Sequence, residues 1–157
     1  MLVKDHMTKK VITAEPEENL GSIIRKFVKY DISGIPVVDD KKKVLGIVTE
    51  TDVVKAIDVF TPKIHFDTET SFALVLAFLK KGKGMKPFKE EVRRGESVKV
   101  REFMTSPVRT IDSHKTVLEA AQMMNNYGIN RIPVVEREKL VGIIARADVI
   151  RAFGSGQ

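Results

Sequence analysis

The chain has 157 residues, 43% hydrophobic and 31% charged, with a net charge of +6 and no cysteine. This length suits one compact domain or two small ones, and the lack of cysteine excludes disulfides, thiol catalysis and zinc–thiolate sites. The longest apolar run, Phe72 to Leu79, is far too short to span a bilayer, and the first residues lack the apolar stretch of a secretory signal, so a cytoplasmic protein without a membrane partner is expected.

In chain order, Val11 to Thr13 is a short β-rich run closing near Pro16. Leu20, Ile23, Ile24, Phe27 and Val28 follow at the spacing of one helix face. Ile35 to Val38 reads as a strand, with Pro36 near its start, where a missing N–H is tolerated. Asp39 to Lys43 is a charged turn, Val44 to Val48 the hairpin partner, and Thr51 to about Val59 a closing helix, which Thr61-Pro62 should end. Ser71 to Lys81 then predicts a helix that is apolar nearly all round and must be buried, ended by Gly82-Lys83-Gly84. Lys80, Lys81, Lys83, Lys86, Lys89, Arg93 and Arg94 crowd the next stretch against Glu90 and Glu91. Such a run attracts phosphates or acidic partners. No aromatic interleaving or nucleic-acid motif accompanies it, which favours a solvated face over a nucleic-acid partner.

From Val100 onward the chain repeats itself. Val3, Met7, Thr8, Val11, Thr13, Tyr30, Ile32 and Ile35-Pro36-Val37-Val38 recur 97 residues later, as Val100, Met104, Thr105, Val108, Thr110, Tyr127, Ile129 and Ile132-Pro133-Val134-Val135. One residue drops out after Val135, so Gly46, Ile47, Asp52, Val53 and Ala56 recur as Gly142, Ile143, Asp148, Val149 and Ala152 at an offset of 96. The second copy carries Val117, Ala120, Ala121 and Met124 as its helix face, with Ser113 as the expected N-cap, a strand at Leu140 to Ile144 and a helix at Ala147 to Phe153. The division is therefore repeat 1 over 1–58, an insertion over 59–97, repeat 2 over 98–153 and a tail over 154–157. A unit of roughly 55 residues rarely buries its apolar face alone. An α/β (α+β) fold is expected, with two β-α-β-β-α repeats packed about a pseudo-twofold axis. The six large apolar residues of the insertion predict a homodimer, packing partly on a second subunit.

Chemistry concentrates after each second hairpin strand. Gly46 lacks a side chain, which leaves room for a ligand to approach the backbone. Thr49, Thr51 and Asp52 stand at a helix start, where free N–H groups favour phosphate, and an ionised aspartate accepts from ribose hydroxyls. Thr49-Glu50-Thr51-Asp52 is equally a plain capping box. The second copy, Gly142-Ile143-Ile144-Ala145-Arg146-Ala147-Asp148, has lost both hydroxyls, so Asp148 is expected to lack a capping partner, leaving capping to explain one copy only. Arg146 could contact phosphate or simply be solvated. Ile32-Ser33-Gly34-Ile35 and Ile129-Asn130-Arg131-Ile132 each precede a proline that holds the chain extended, exposing backbone groups beside an isoleucine that also suits a core. His6, His65 and His114 have no partner at metal-ligand spacing, and no phosphate-binding loop, nucleophile elbow or catalytic carboxylate pair is present. The reading is of a protein without catalytic residues, resident metal or required cofactor.

The order Val-x-x-x-Met-Thr, Ile-Pro-Val-Val and Gly-Ile-x-x-x-x-Asp, found twice, resembles the CBS domain, named after cystathionine β-synthase, over about residues 1–58 and 98–153. The resemblance implies a stand-alone tandem pair with two inter-repeat clefts that bind AMP, ADP, ATP or S-adenosylmethionine to regulate a protein partner the sequence does not identify. It implies Asp52 at the ribose, with Thr49 and Thr51 near ribose and phosphate, paired with Thr110, Asn130, Arg131 and Ile132. Arg131 stands where some family members carry a phosphate-contacting arginine. The second cleft would combine Asp148 and Arg146 with Thr13, Ser33, Gly34 and Ile35. Two alternatives stand beside the nucleotide sensor: a structural or interaction module with empty clefts, and a nucleic-acid-associated protein using the basic insertion.

Overall fold

The computed structural model describes residues 1–60 and 98–155. The apolar run at 71–81 and the basic stretch at 80–94 lie outside them. The described elements are α1 (Val3–His6), α2 (Leu20–Tyr30), β1 (Gly34–Val38), β2 (Val44–Thr49), α3 (Glu50–Phe60), α4 (Val100–Phe103), β3 (Ile111–Asp112), α5 (Val117–Tyr127), β4 (Arg131–Glu136), β5 (Lys139–Ala145) and α6 (Arg146–Gly154). β1 pairs with β2, and β3, β4 and β5 form a three-stranded sheet in that order. β3 runs parallel to β4 and β5 antiparallel to it.

The strand expected at Val11 to Thr13 does not form. Only Ala14 pairs, its N–H donating to the Pro36 carbonyl at 3.0 Å. In the second repeat the same position is Ile111, and the ladder continues because the Ser113 N–H donates to Val135 at 3.1 Å. The first repeat has Pro16 where the second has Ser113, and proline has no N–H to extend the pairing. Pro133 fits its strand for the converse reason: β3 reaches β4 only at Val134 and Val135, so no ladder bond is lost on that side.

Most of each predicted helix face is buried, Leu20, Ile23, Ile24 and Phe27 on α2 and Val117, Ala120 and Met124 on α5, while Val28 and Ala121 are half-buried. The cap of α5 differs from expectation. Ser113 is fully buried and its hydroxyl donates to Glu136. Thr116 is the N-cap, accepting from the Glu119 N–H at 3.1 Å while the Glu119 carboxylate accepts from the Thr116 N–H at 2.8 Å. That reciprocal pair satisfies two otherwise orphaned donors at the helix start. The two hairpins also turn differently. The Asp39 carboxylate accepts from the N–H groups of Lys41 and Lys43, at 2.9 and 2.8 Å. The second hairpin closes with two left-handed residues, Arg137 (φ 47°) and Glu138 (φ 65°), and is one residue shorter.

The chain forms two compact units that do not follow the repeats. One comprises 14–37, 46–60 and 98–106. There the Leu20 N–H donates to Val98 at 3.0 Å, and the Val100 N–H to Glu18 at 2.8 Å. Val100 is fully buried in a core with Ile23, Phe27, Ile35, Val37, Val48 and Val53. The other unit comprises 1–13, 38–45 and 107–155. There the Val3 N–H donates to Lys115 at 2.8 Å, and the Val117 N–H to Met1 at 3.1 Å. Val3 is fully buried with Ile111, Ala120, Met124, Ile132, Val134 and Ile144. Each repeat's opening segment is thus built into the core of the other repeat. Burying one such valine contributes about 1.5–3 kcal/mol.

Candidate functional site

The opening segments reach the residues singled out after β2 and β5. In the first unit Ile47 and Thr105 exchange both backbone hydrogen bonds, at 3.1 and 2.9 Å. This leaves Met104 lying over Gly46, where an added Cβ would stand 2.7 Å from the Met104 sulfur and 2.9 Å from the Thr105 carbonyl. In the second unit Thr8 and Ile143 exchange the same two bonds, at 2.9 and 3.0 Å, and Met7 lies over Gly142. The expectation that Gly46 leaves room for a ligand is corrected here: the space is filled by methionine. The missing side chain serves docking of the Met-Thr segment. The recurrence of Met-Thr in both copies was the available sequence signal for this, because a side chain packed on a glycine must keep its position in each copy.

Asp52 sits at the third position of α3. Its Oδ2 accepts from the Thr49 N–H and the Thr49 hydroxyl, both at 2.7 Å, and its Oδ1 accepts from the Thr105 hydroxyl at 3.0 Å. The aspartate half of the anticipated cap is therefore present. Thr49 gives its hydroxyl proton to Asp52, and Thr105 joins from the other repeat's opening segment. Asp148 has the same backbone role at α6: its Oδ2 accepts from the Ala145 N–H at 2.8 Å. The expectation that Asp148 has no capping partner is corrected, because a carboxylate at this position needs only a backbone donor, which every residue but proline supplies. Its Oδ1 accepts from the Arg151 guanidinium. Capping accounts for both aspartates. What separates them is the other donors around each carboxylate.

The remaining expected site residues divide between the units. Ser33, Gly34, Ile35, Thr49 and Thr51 belong to the first, and Thr13, Thr110, Asn130, Arg131, Ile132 and Arg146 to the second. Ile35 and Ile132 are wholly buried, their side chains taken up by the two cores, while Ser33, Gly34 and Arg131 are half-buried. Thr51 and Arg146 are exposed. The Arg146 N–H donates to the Asn130 carbonyl at 3.0 Å, which joins the bend before β4 to the start of α6. In the second unit a concave surface lined by Asp112, His114, Glu136, Arg137, Lys139 and Val141 contains none of the expected site residues. Among the described residues no three His, Cys, Asp or Glu side chains gather as a metal site, and no helix is long and apolar enough to cross a membrane.

The CBS domain profile matches residues 3–59 and 100–155. An uncharacterized protein of Methanocaldococcus jannaschii, MJ1426, is 35% identical over 154 residues, which is 98% of this chain and 91% of that protein. Inosine-5'-monophosphate dehydrogenase of Halobacterium salinarum is 30% identical over 92% of this chain, which spans only 23% of the enzyme. Among solved structures, the CBS domain pair of protein MJ0100, in complex with 5'-methylthioadenosine and S-adenosyl-L-methionine, superposes with a TM-score of 0.70 at 26% identity, covering 100% of this chain and 98% of that one.

Proposed function

Because this chain belongs to the CBS domain family, we propose that it is an adenosine-nucleotide-binding regulatory module rather than an enzyme. The observation that carries this reading is the donor set of Asp52. A carboxylate offers about four acceptor positions, and three hydrogen bonds occupy it. One position is left for a ribose hydroxyl. The Thr49 and Thr105 hydroxyls, each donating to Asp52, keep lone pairs that accept further donors. Thr51, exposed in the first turn of α3, stands where a phosphate gains from the helix dipole. Thr110, Asn130, Arg131 and Ile132 are assigned to the same ligand on the family resemblance. Thr13, Ser33, Gly34, Ile35, Arg146 and Asp148 are assigned to a second, weaker site. The complex of MJ0100 with two adenosine compounds supports the ligand class.

Calorimetry with AMP, ADP, ATP and S-adenosylmethionine tests the proposal. A hydrogen bond to a charged group contributes about 1.5–3 kcal/mol, so Asp52→Asn should weaken binding roughly ten- to a hundredfold. Equal affinity in the variant removes Asp52 from the site. No heat with any of the four favours a purely structural module. A cytoplasmic setting, a regulated protein partner and a homodimer belong to the same proposal. The homodimer rests on the apolar sequence at 71–81, and light scattering measures it.

A further inference from the structure

The two aspartates differ in a way the repeat pattern hides. Asp52 is half-buried, its side-chain donors are threonine hydroxyls, and among the described residues no cation pairs with it. Asp148 is buried, with its side chain 7% exposed, and it holds the Arg151 guanidinium, whose own side chain is 72% exposed. The residue at the place of Arg151 in the first repeat is Lys55, also exposed. A hydroxyl that donates to a carboxylate can still accept from a ligand. A guanidinium only donates: acceptor positions remain on the Asp148 carboxylate, but the group covering its Oδ1 cannot itself accept from a ligand, and the carboxylate beneath it is almost wholly buried. In addition, the positions of Thr49 and Thr51 are Ala145 and Ala147 in the second repeat, so neither of those hydroxyls has a counterpart, and Thr8, at the place of Thr105, pairs with Ile143 through its backbone.

We propose that Arg151 is a specificity-determining latch: it withholds the Asp148 carboxylate from ribose and biases the module toward a single high-affinity adenosine site at Asp52. This rests on the function proposed above and extends it, since it assigns the inequality of the two sites to one residue outside the family motif. The latch is releasable. An arginine paired at i, i+3 and mostly in solvent is held only modestly, so ligand at high concentration displaces it.

The experiment titrates AMP calorimetrically into four full-length proteins: the parent, Asp52→Asn, Arg151→Gln, and Asp52→Asn with Arg151→Gln. Thermal melts establish that each is folded, and Arg151→Lys is measured alongside in case the glutamine variant melts early. The expected result is a second binding event that tightens roughly three- to tenfold in Arg151→Gln, and residual binding in the double variant stronger than in Asp52→Asn by the same factor. Unchanged or weaker second-site binding after removal of Arg151, with the Asp52 site intact, overturns the latch alone. Weaker binding would make Arg151 a ligand contact instead. Absence of AMP binding in the parent overturns the functional reading, and the latch with it.

Discussion

Gly46 and Gly142 make the same kind of contact in the two compact units, but not on the same surroundings. In both, a methionine from the other repeat's opening segment lies over the glycine, and the threonine after it exchanges two backbone hydrogen bonds with the next strand residue. In the first unit the fit is closed by main chain as well, through the Thr105 carbonyl, and Thr105 goes on to donate to Asp52. In the second unit the nearest atoms to Gly142 are all from the Met7 side chain, and Asp148 accepts from Ala145 and Arg151. The opening segment is therefore wired into the candidate ligand residue in one unit and only docked on the neighbouring strand in the other. A repeat can keep its fold in both copies and its binding chemistry in one, because docking depends on backbone and volume while ligand contact depends on particular donors.

The sharpest way to break this comparison is to add a methyl group under each methionine. Gly46→Ala forces its Cβ against the Thr105 carbonyl as well as Met104, and backbone cannot yield as a side chain does, so a loss of about 2–3 kcal/mol is expected. Gly142→Ala meets the Met7 side chain first, whose three rotatable bonds let it move aside, and should cost about 1 kcal/mol. Urea melts of the two variants measure the difference, and equal losses would mean that the two docking contacts are equivalent.

A smaller effect is expected from the threonines. Thr105→Val keeps shape and backbone pairing but removes the hydroxyl from Asp52, costing about 1 kcal/mol and weakening adenosine binding. Thr8→Val should be neutral to within about 0.5 kcal/mol, because Thr8 is exposed and pairs with Ile143 through its backbone. Comparable destabilisation by both would sink the claim that only the first unit couples its opening segment to the aspartate.

The smallest effect is in acid. The Thr116 N–H, then Lys115 and the Thr116 hydroxyl, hold the Glu119 carboxyl down at about 2, from an ordinary 4.5. Glu18, beside α2, is also lowered: burial pushes it up, but Lys26, the Ser22 hydroxyl and the Glu15 N–H together outweigh that. Both groups bind a proton more readily when unfolded, so their stabilisation is complete above about pH 4.5 and is lost as pH falls, for Glu119 down through about pH 2. Melts across that window should show a shallower acid limb in Glu119→Gln than in the parent. An unchanged limb would remove the α5 cap from the pH response.

Periodicity was enough to read α2, α5 and the two hairpins, because their apolar faces obey spacings that any core demands. The one-residue deletion after Val135 was legible too, and the structure shows it as the tighter turn at Arg137 and Glu138. The family followed from the order of three motifs repeated twice, over the residues the CBS profile matches. Other features depended on which residues meet across the chain. Pro16 stands where Ser113 extends a ladder in the second repeat, and that matters only because the Ser113 N–H meets the Val135 carbonyl. Thr116 rather than Ser113 caps α5, since Ser113 is drawn inward to Glu136. The Met-Thr segments were visible as a pattern and silent as to purpose, because their partners lie in the other repeat. The asymmetry of Asp52 and Asp148 was half legible. The sequence shows Thr49 replaced by Ala145, whereas Thr105 and Arg151 lie outside the local motif and reach the carboxylates only through the folded geometry. Local pattern determines which elements form. Hydrogen-bond partners brought together in the folded chain decide which of two identical aspartates is flanked by groups that can also accept from a ligand.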